Sequence, residues 1–202
     1  MIAQLTVADL VRPGEKRVAW LYDGALVLGG SLLIALCTQI AVGFPVPWTG
    51  QTFAVLMVGA LLGSRRGALS VLAYLLQGLA GLPVFSHGRA GLAVFFGPTG
   101  GYLIGFVLAA YIVGCLAERG WDRRPATTVL AMVLGNAVLY GCGLLWLACL
   151  VHLLGRPLGG VLTIGLYPFL PGEIVKIVLA TALLPAGWTL IRHFGFAKTP
   201  PM

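Results

Sequence analysis

The chain has 202 residues, 59% of them hydrophobic and 9% charged, with a formal charge of +7 and a mean hydropathy of +0.97. A water-soluble domain carries about a quarter charged residues, so this composition excludes one and puts the chain in a bilayer. Lipid admits only helices or closed barrels, and long unbroken runs rich in Leu, Ala and Gly exclude the short alternating strands of a barrel.

Residues 1–18, "MIAQLTVADLVRPGEKRV", mix charges of both signs. They lack the short apolar core and cleavage site of a signal peptide, and are expected to form a cytoplasmic lead-in along the membrane face. A span needs about 20 apolar residues. Candidates follow at 20–43, 46–63, 67–85, 97–117, 126–151 and 165–191. The apolar part of the second, "FAVLMVGALLG", is also short enough for a re-entrant segment, and the positive-inside rule decides between the two. Six spans with the N-terminus inside collect Arg12, Lys16, Arg17, Arg65, Arg66, Arg119, Arg123, Arg124, Arg192 and Lys198 in the cytoplasm and leave only Arg89 and Arg156 outside. A re-entrant second segment gives five inside against seven outside. The expected fold is therefore an all-α integral membrane protein with six transmembrane helices in a domain at 19–192. Both termini are cytoplasmic, with 193–202 as a tail.

Small residues recur at helical spacing in Gly59-x-x-x-Gly63, Gly101-x-x-x-Gly105, Ala110-x-x-x-Gly114 and Ala137-x-x-x-Gly141. Such pairs let helices approach closely in lipid. Ala25, Gly29, Ser31 and Ala35 in the first span serve either that packing or a partner protein. Cys37, Cys115, Cys142 and Cys149 lie in apolar runs without metal-ligand spacing and read as small buried hydrophobes. There is no phosphate-cradling G-x-x-x-x-G-K-[ST], no H-E-x-x-H and no G-x-S-x-G. An enzyme, a metal or cofactor site and a nucleic-acid partner are accordingly not expected.

Ionisable groups inside a membrane are costly and mark a functional site by default. "YPFLPGEIVKIVLA" places Glu173 in the first turn of the sixth helix, begun near Pro171, and Lys176 one turn deeper on the same face. The helix N-terminus favours the carboxylate. A structural ion pair is the alternative reading. Trp48, Thr49, Gln51 and Thr52 of "FPVPWTGQT", Arg89 of "SHGRAG", Tyr102 of "GPTGGY", and Asn136 with Tyr140 gather polar groups on the outer side. Asn136, the sole asparagine, serves either this site or helix packing. The set suits a small anionic ligand with a polar ring: Glu173 accepts N–H groups, Lys176, Asn136 or Gln51 donates to a carbonyl, and Arg89 pairs with a carboxylate.

"VPWTGQTFAVLMVGALLGSRRGALSVLAYLLQGLAGLPVF", "GPTGGYLIGF", "LAERG" and "YPFLPGEIVKIVLA" resemble the biotin-specific S components (BioY) of energy-coupling factor transporters, over about residues 30–185. The resemblance implies six helices and high-affinity capture of biotin from outside, beneath the loop joining the first two helices. Glu173 and Lys176 match the family's P-G-[DE]-x-x-K pair, proposed to hold the polar ring system, with Glu where many relatives have Asp. It also implies a transmembrane coupling protein, met by small residues of the first helix, and separate ATPase subunits in a bacterial inner membrane. A stand-alone secondary biotin transporter is the alternative. No inverted repeat of the kind such transporters often carry is visible.

Overall fold

The computed structural model describes residues 5–42, 48–155 and 157–194. The proline-bearing stretch 43–47 expected to cover the site, the outer Arg156, and residues 195–202 with Lys198 lie outside them, as do the side chains of Val42 and Trp48. The described chain is helical apart from one small ribbon. Its elements are α1 (Lys16–Gln39), β1 (Ala41–Val42), β2 (Trp48–Thr49), α2 (Gln51–Leu62), α3 (Ser64–Leu79), α4 (Gly100–Ala117), α5 (Pro125–Leu153), α6 (Val161–Gly165) and α7 (Leu170–His193). The strands pair antiparallel, Ala41 with Thr49 and Val42 with Trp48.

α4 is the central helix. It packs against α5, α2 and α3, and its buried residues run from end to end, leaving one outward face at Ile104, Leu108 and Tyr111. A helix that is apolar all round belongs in a bundle interior or against lipid, and α4 meets both. α1 packs on α3 and α7 on α5, with leucines such as Leu21, Leu28, Leu36, Leu179 and Leu183 pointing outward. An outer surface this apolar suits lipid rather than water. Helices α1, α4, α5 and the stretch 158–193 are each long and apolar enough to cross a bilayer, so this is a multi-pass membrane protein.

The second and third expected spans come out shorter than the sequence suggests. α2 has 12 residues and α3 has 16, about 18 Å and 24 Å of helix. α2 begins only at Gln51, whose N–H donates to the Thr49 hydroxyl at 3.3 Å. α3 stops at Leu79, and 80–99 is a loop with two 3-10 turns. Between α2 and α3 stands a single residue, Gly63, at φ 86° and ψ 176°. That region is essentially restricted to glycine. Glu118, from the far end of α4, closes the corner by accepting from the Ser64 N–H at 2.7 Å and the Ser64 hydroxyl at 2.8 Å.

Most of the small-residue pairs pack as expected. A Cβ on Gly59 would stand 2.5 Å from the Ala110 carbonyl oxygen, and one on Gly114 would stand 2.4 Å from the Ser64 nitrogen. Ala137-x-x-x-Gly141 is a correction: Ala137 is exposed and nothing lies within 4 Å of a Cβ at Gly141. The four small residues of α1 also divide. Ser31 and Ala35 are buried, and Ser31 receives the Gln77 side-chain N–H at 3.0 Å, so these two pack inside the bundle. Ala25 and Gly29 remain exposed. The physical reason is the turn angle: six residues separate the two stripes by about 120° around the helix, so no single partner could touch both.

At the arginine-rich end the lead-in is tied down by charge. Asp9 accepts from Arg66 at 2.8 Å and from the Thr6 hydroxyl at 2.8 Å, while Asp23 joins Arg66 at 2.8 Å and Arg12 at 2.7 Å. Burial pushes the Asp9 carboxyl up, but the Thr6 hydrogen bonds and Arg66 outweigh it and leave it below its ordinary 3.8. A lowered folded value means the anchor is complete above the ordinary value and is lost as pH falls through the folded one. Asp9→Asn is therefore expected to lower the melting temperature at pH 7 and to flatten its decline below about pH 4. Melting curves of both proteins at the two ends of that range check this.

Candidate functional site

The end of the bundle opposite this anchor holds a cavity of about 330 Å³, bounded by the ribbon, α2, the 80–99 loop, α4, α5 and α7. Its size falls within the usual range for small-molecule sites, about 300–1,000 Å³. Phe85, Tyr102, Phe106, Leu139, Tyr140 and Phe169 supply most of the apolar wall. Tyr102 and Tyr140 meet edge to face at 5.9 Å, and Tyr140 lies 6.2 Å from Phe169. Such ring clusters favour a flat, partly apolar guest.

Leu170 and Pro171 open α7, where the missing proline N–H costs nothing. This sets Glu173 in the first turn, with its N–H donating to Phe169 O at 2.9 Å. Glu173 is only 5% exposed. Its Oε1 accepts from Lys176 Nζ at 2.8 Å, the Thr52 hydroxyl at 2.9 Å and the Tyr140 hydroxyl at 3.2 Å. Lys176 Nζ also donates to Thr49 O and to Thr52 Oγ1, both at 2.7 Å. A buried pair survives desolvation only when its remaining valences are satisfied. Here one oxygen carries all three contacts, while Oε2 is buried with no partner among the described residues. The pair also fastens α2 and α5 to α7, so it holds helices together as well as lining the cavity.

The remaining candidates are placed as follows. Thr49, Gln51, Arg89, Tyr102 and Tyr140 line the cavity with the pair. Gln51 Nε2 donates to the Tyr74 hydroxyl at 3.0 Å, which in turn donates to Val84 O at 3.2 Å. The Tyr102 hydroxyl donates to Gly165 O at 2.8 Å, which fixes the short α6 against α4. Arg89 is half-buried and held by Ser86, through O at 3.2 Å and Oγ at 3.0 Å. The turn that aims it bends through His87 at φ 60° and Gly88 at φ 68°. Among the described residues Arg89 has no carboxylate partner. For Trp48 only the backbone, paired in the ribbon, is described. Asn136 is not brought to the cavity: it is buried one turn away in α5, with neither amide atom partnered among the described residues.

Thr52, expected on the outer side with Thr49 and Gln51, bridges the ion pair. Tyr74 and Ser86, which orient Gln51 and Arg89, escaped the sequence reading. A tyrosine such as Tyr74 inside an apolar helix was an available signal, because its hydroxyl needs a partner when buried. Phe85 and Phe169 gave no such signal.

The chain matches the BioY family over residues 12–193. It is 40% identical over 158 residues to a biotin transporter BioY of Rhizobium etli, covering 74% of this chain and 82% of that one. To the biotin transporter BioY of Thermotoga maritima it is 34% identical over 165 residues, covering 82% and 90%. The crystal structure of an S-component for biotin from an ECF-type ABC transporter superposes with a TM-score of 0.71 at 26% identity, covering 87% of this chain and 95% of that one. The match takes in α1 to α7 whole, with Glu173, Lys176 and the cavity they share inside it, and the chain belongs to the BioY family.

Proposed function

We propose that this chain is the biotin-capturing subunit of a vitamin importer. It binds biotin in the cavity beside Glu173 and passes it inward with a transmembrane coupling protein and ATPase subunits. The observation that carries the reading is Glu173 Oε2, a buried carboxylate oxygen without a partner on the wall of a ring-lined cavity. Biotin's ureido ring offers N–H donors to that oxygen and a carbonyl to a donor such as Lys176 or Gln51. The fused ring lies among Tyr102, Tyr140 and Phe169, and the valerate carboxylate reaches Arg89, which no described carboxylate neutralises. No resident cofactor takes part.

We read six crossings, α1 to α5 and α7, with both termini in the cytoplasm of a bacterial inner membrane. In support, Arg12, Arg66, Arg119, Arg123 and Arg192 gather at one end of the bundle and Arg89 stands at the other. The exposed Ala25 and Gly29 stripe of α1 is the surface offered to the coupling protein. The relatives carry the names of biotin transporters and of an S-component for biotin; the ligand, the partners and the non-enzymatic role are inferred for this chain from those names and the cavity.

Equilibrium titration of the detergent-purified protein tests the proposal. Saturable biotin binding is expected, and its absence overturns the reading. In liposomes, accumulation is expected only with the coupling and ATPase subunits present. Arg89→Ala is expected to weaken biotin about tenfold, one charge-assisted hydrogen bond's worth, and to leave the affinity for biotin methyl ester almost unchanged. Comparing the two ligands on the two proteins checks it.

A further inference from the structure

About 28 Å along α7 from Glu173, at the helical rise per residue, a second cavity of about 460 Å³ opens among Arg119, Arg123, Arg124 and Arg192, with Trp121 and Thr127. The four guanidinium groups come from three places: the end of α4, the 3-10 turn 121–123 with the residue after it, and the end of α7. The positive-inside rule accounts for arginines at this face. It does not account for four of them converging on one hollow, where their mutual repulsion is unfavourable unless an anion joins them.

The neighbouring acid does not line the hollow: Asp122 is 2% exposed, one of its oxygens accepts the Trp188 indole N–H, and the other is buried with no partner among the described residues. Arg123 stacks 4.3 Å over Trp188 and donates to Leu5 O at 2.9 Å, yet its Nε is buried without a partner among the described residues. Burial draws the Arg123 guanidinium below its ordinary range, Asp122 opposes this, and Arg192 adds to it. Arg119, Arg124 and Arg192 are exposed at the rim. Forked guanidinium groups match phosphate oxygens in pairs. The outward faces beside the rim are greasy: Val129 and Leu130 on α5, Leu190 and Phe194 at the end of α7. A phosphate with an acyl chain attached would meet both surfaces.

We propose that this pocket binds a phosphate group, supplied by the headgroup of an anionic phospholipid at the arginine-rich face of the membrane. Basic pockets between helices on that side are suited to such headgroups. Melting of the full chain in neutral detergent tests it, with phosphatidylglycerol, phosphatidylcholine or inorganic phosphate added at matched ionic strength. Phosphatidylglycerol is expected to raise the midpoint by several degrees more than phosphatidylcholine. In Arg119→Gln/Arg124→Gln/Arg192→Gln that difference disappears while biotin affinity stays unchanged. Inorganic phosphate alone giving the same shift assigns the pocket to the free ion and keeps the phosphate recognition. Equal effects of the two lipids with no effect of phosphate overturn the proposal, and so does a phosphatidylglycerol preference that survives in the variant. If the triple variant does not fold, Arg124→Gln alone is expected to cut phosphatidylglycerol retention in native mass spectrometry about threefold, one exposed ion pair's worth. Unchanged retention in that variant overturns the proposal equally.

Discussion

Glu173→Gln is expected to lower biotin affinity by about 100-fold or more, and Lys176→Ala to do the same, because each removes a charge-assisted hydrogen bond and unbalances the other charge. The two effects of the pair have to be separated, since Glu173 also fastens Thr52 of α2 and Tyr140 of α5 to α7. Breaking a buried pair from one side typically costs about 3–5 kcal/mol of stability, whereas replacing both partners by uncharged groups of similar size is often neutral. The double variant Glu173→Gln/Lys176→Met is therefore expected to melt near the wild type while binding biotin no better than either single variant. Paired melting and titration data on the three proteins distinguish recognition from mere bracing. A double variant that recovers affinity along with stability would make the pair a strut and leave recognition to other groups.

Gly59→Leu is expected to abolish folded protein, whereas Gly29→Leu is tolerated. At Gly59 the helices α2, α3 and α4 come together: a Cβ there would stand 2.5 Å from Ala110 O, and one on Gly67 would stand 2.8 Å from the Gly59 Cα. Overpacking a core costs about 1–3 kcal/mol when side chains can move aside. Here the obstructing atoms are backbone, which cannot, so the loss is expected at or above the upper end of that range. Gly29 faces outward with nothing within 4 Å of a Cβ position. A leucine there also improves helix propensity by roughly 1 kcal/mol. Size-exclusion profiles and melting midpoints in detergent measure both. The Gly29 variant would then show whether the exposed stripe is needed for uptake with the coupling subunits.

The site was legible in the sequence where chemistry is rare in lipid. Glu173 and Lys176 stood out because ionisable groups inside a bilayer are expensive. Gln51, Thr49, Arg89, Tyr102 and Tyr140 followed from the end of the bundle they had to share, and all five line the cavity. Phe85 and Phe169 did not stand out. An aromatic ring in an apolar chain says nothing of its neighbours, and these two reach the cavity from segments 84 positions apart. Asn136, open in the sequence between the site and helix packing, lies one turn below Tyr140, beside the cavity wall and not on it.

The fold was legible in its helical, membrane-spanning character and less so in the lengths of its helices. Charge counting treats 46–63 and 67–85 as whole spans, but the helices run only Gln51–Leu62 and Ser64–Leu79. Where a helix starts and stops is decided by local hydrogen bonds and by Gly63, which a hydropathy window averages away. The α1 stripe failed for a geometric reason: Ala25 with Gly29 and Ser31 with Ala35 each repeat every four residues, yet the two pairs face different ways.

A structure of the protein with biotin bound tests the central claim most directly. The account places a ureido nitrogen within about 2.7–3.2 Å of Glu173 Oε2, with Thr52 and Lys176 still on Oε1. A vitamin seated with its ring away from α7, and Glu173 Oε2 closed off by protein groups, would contradict it.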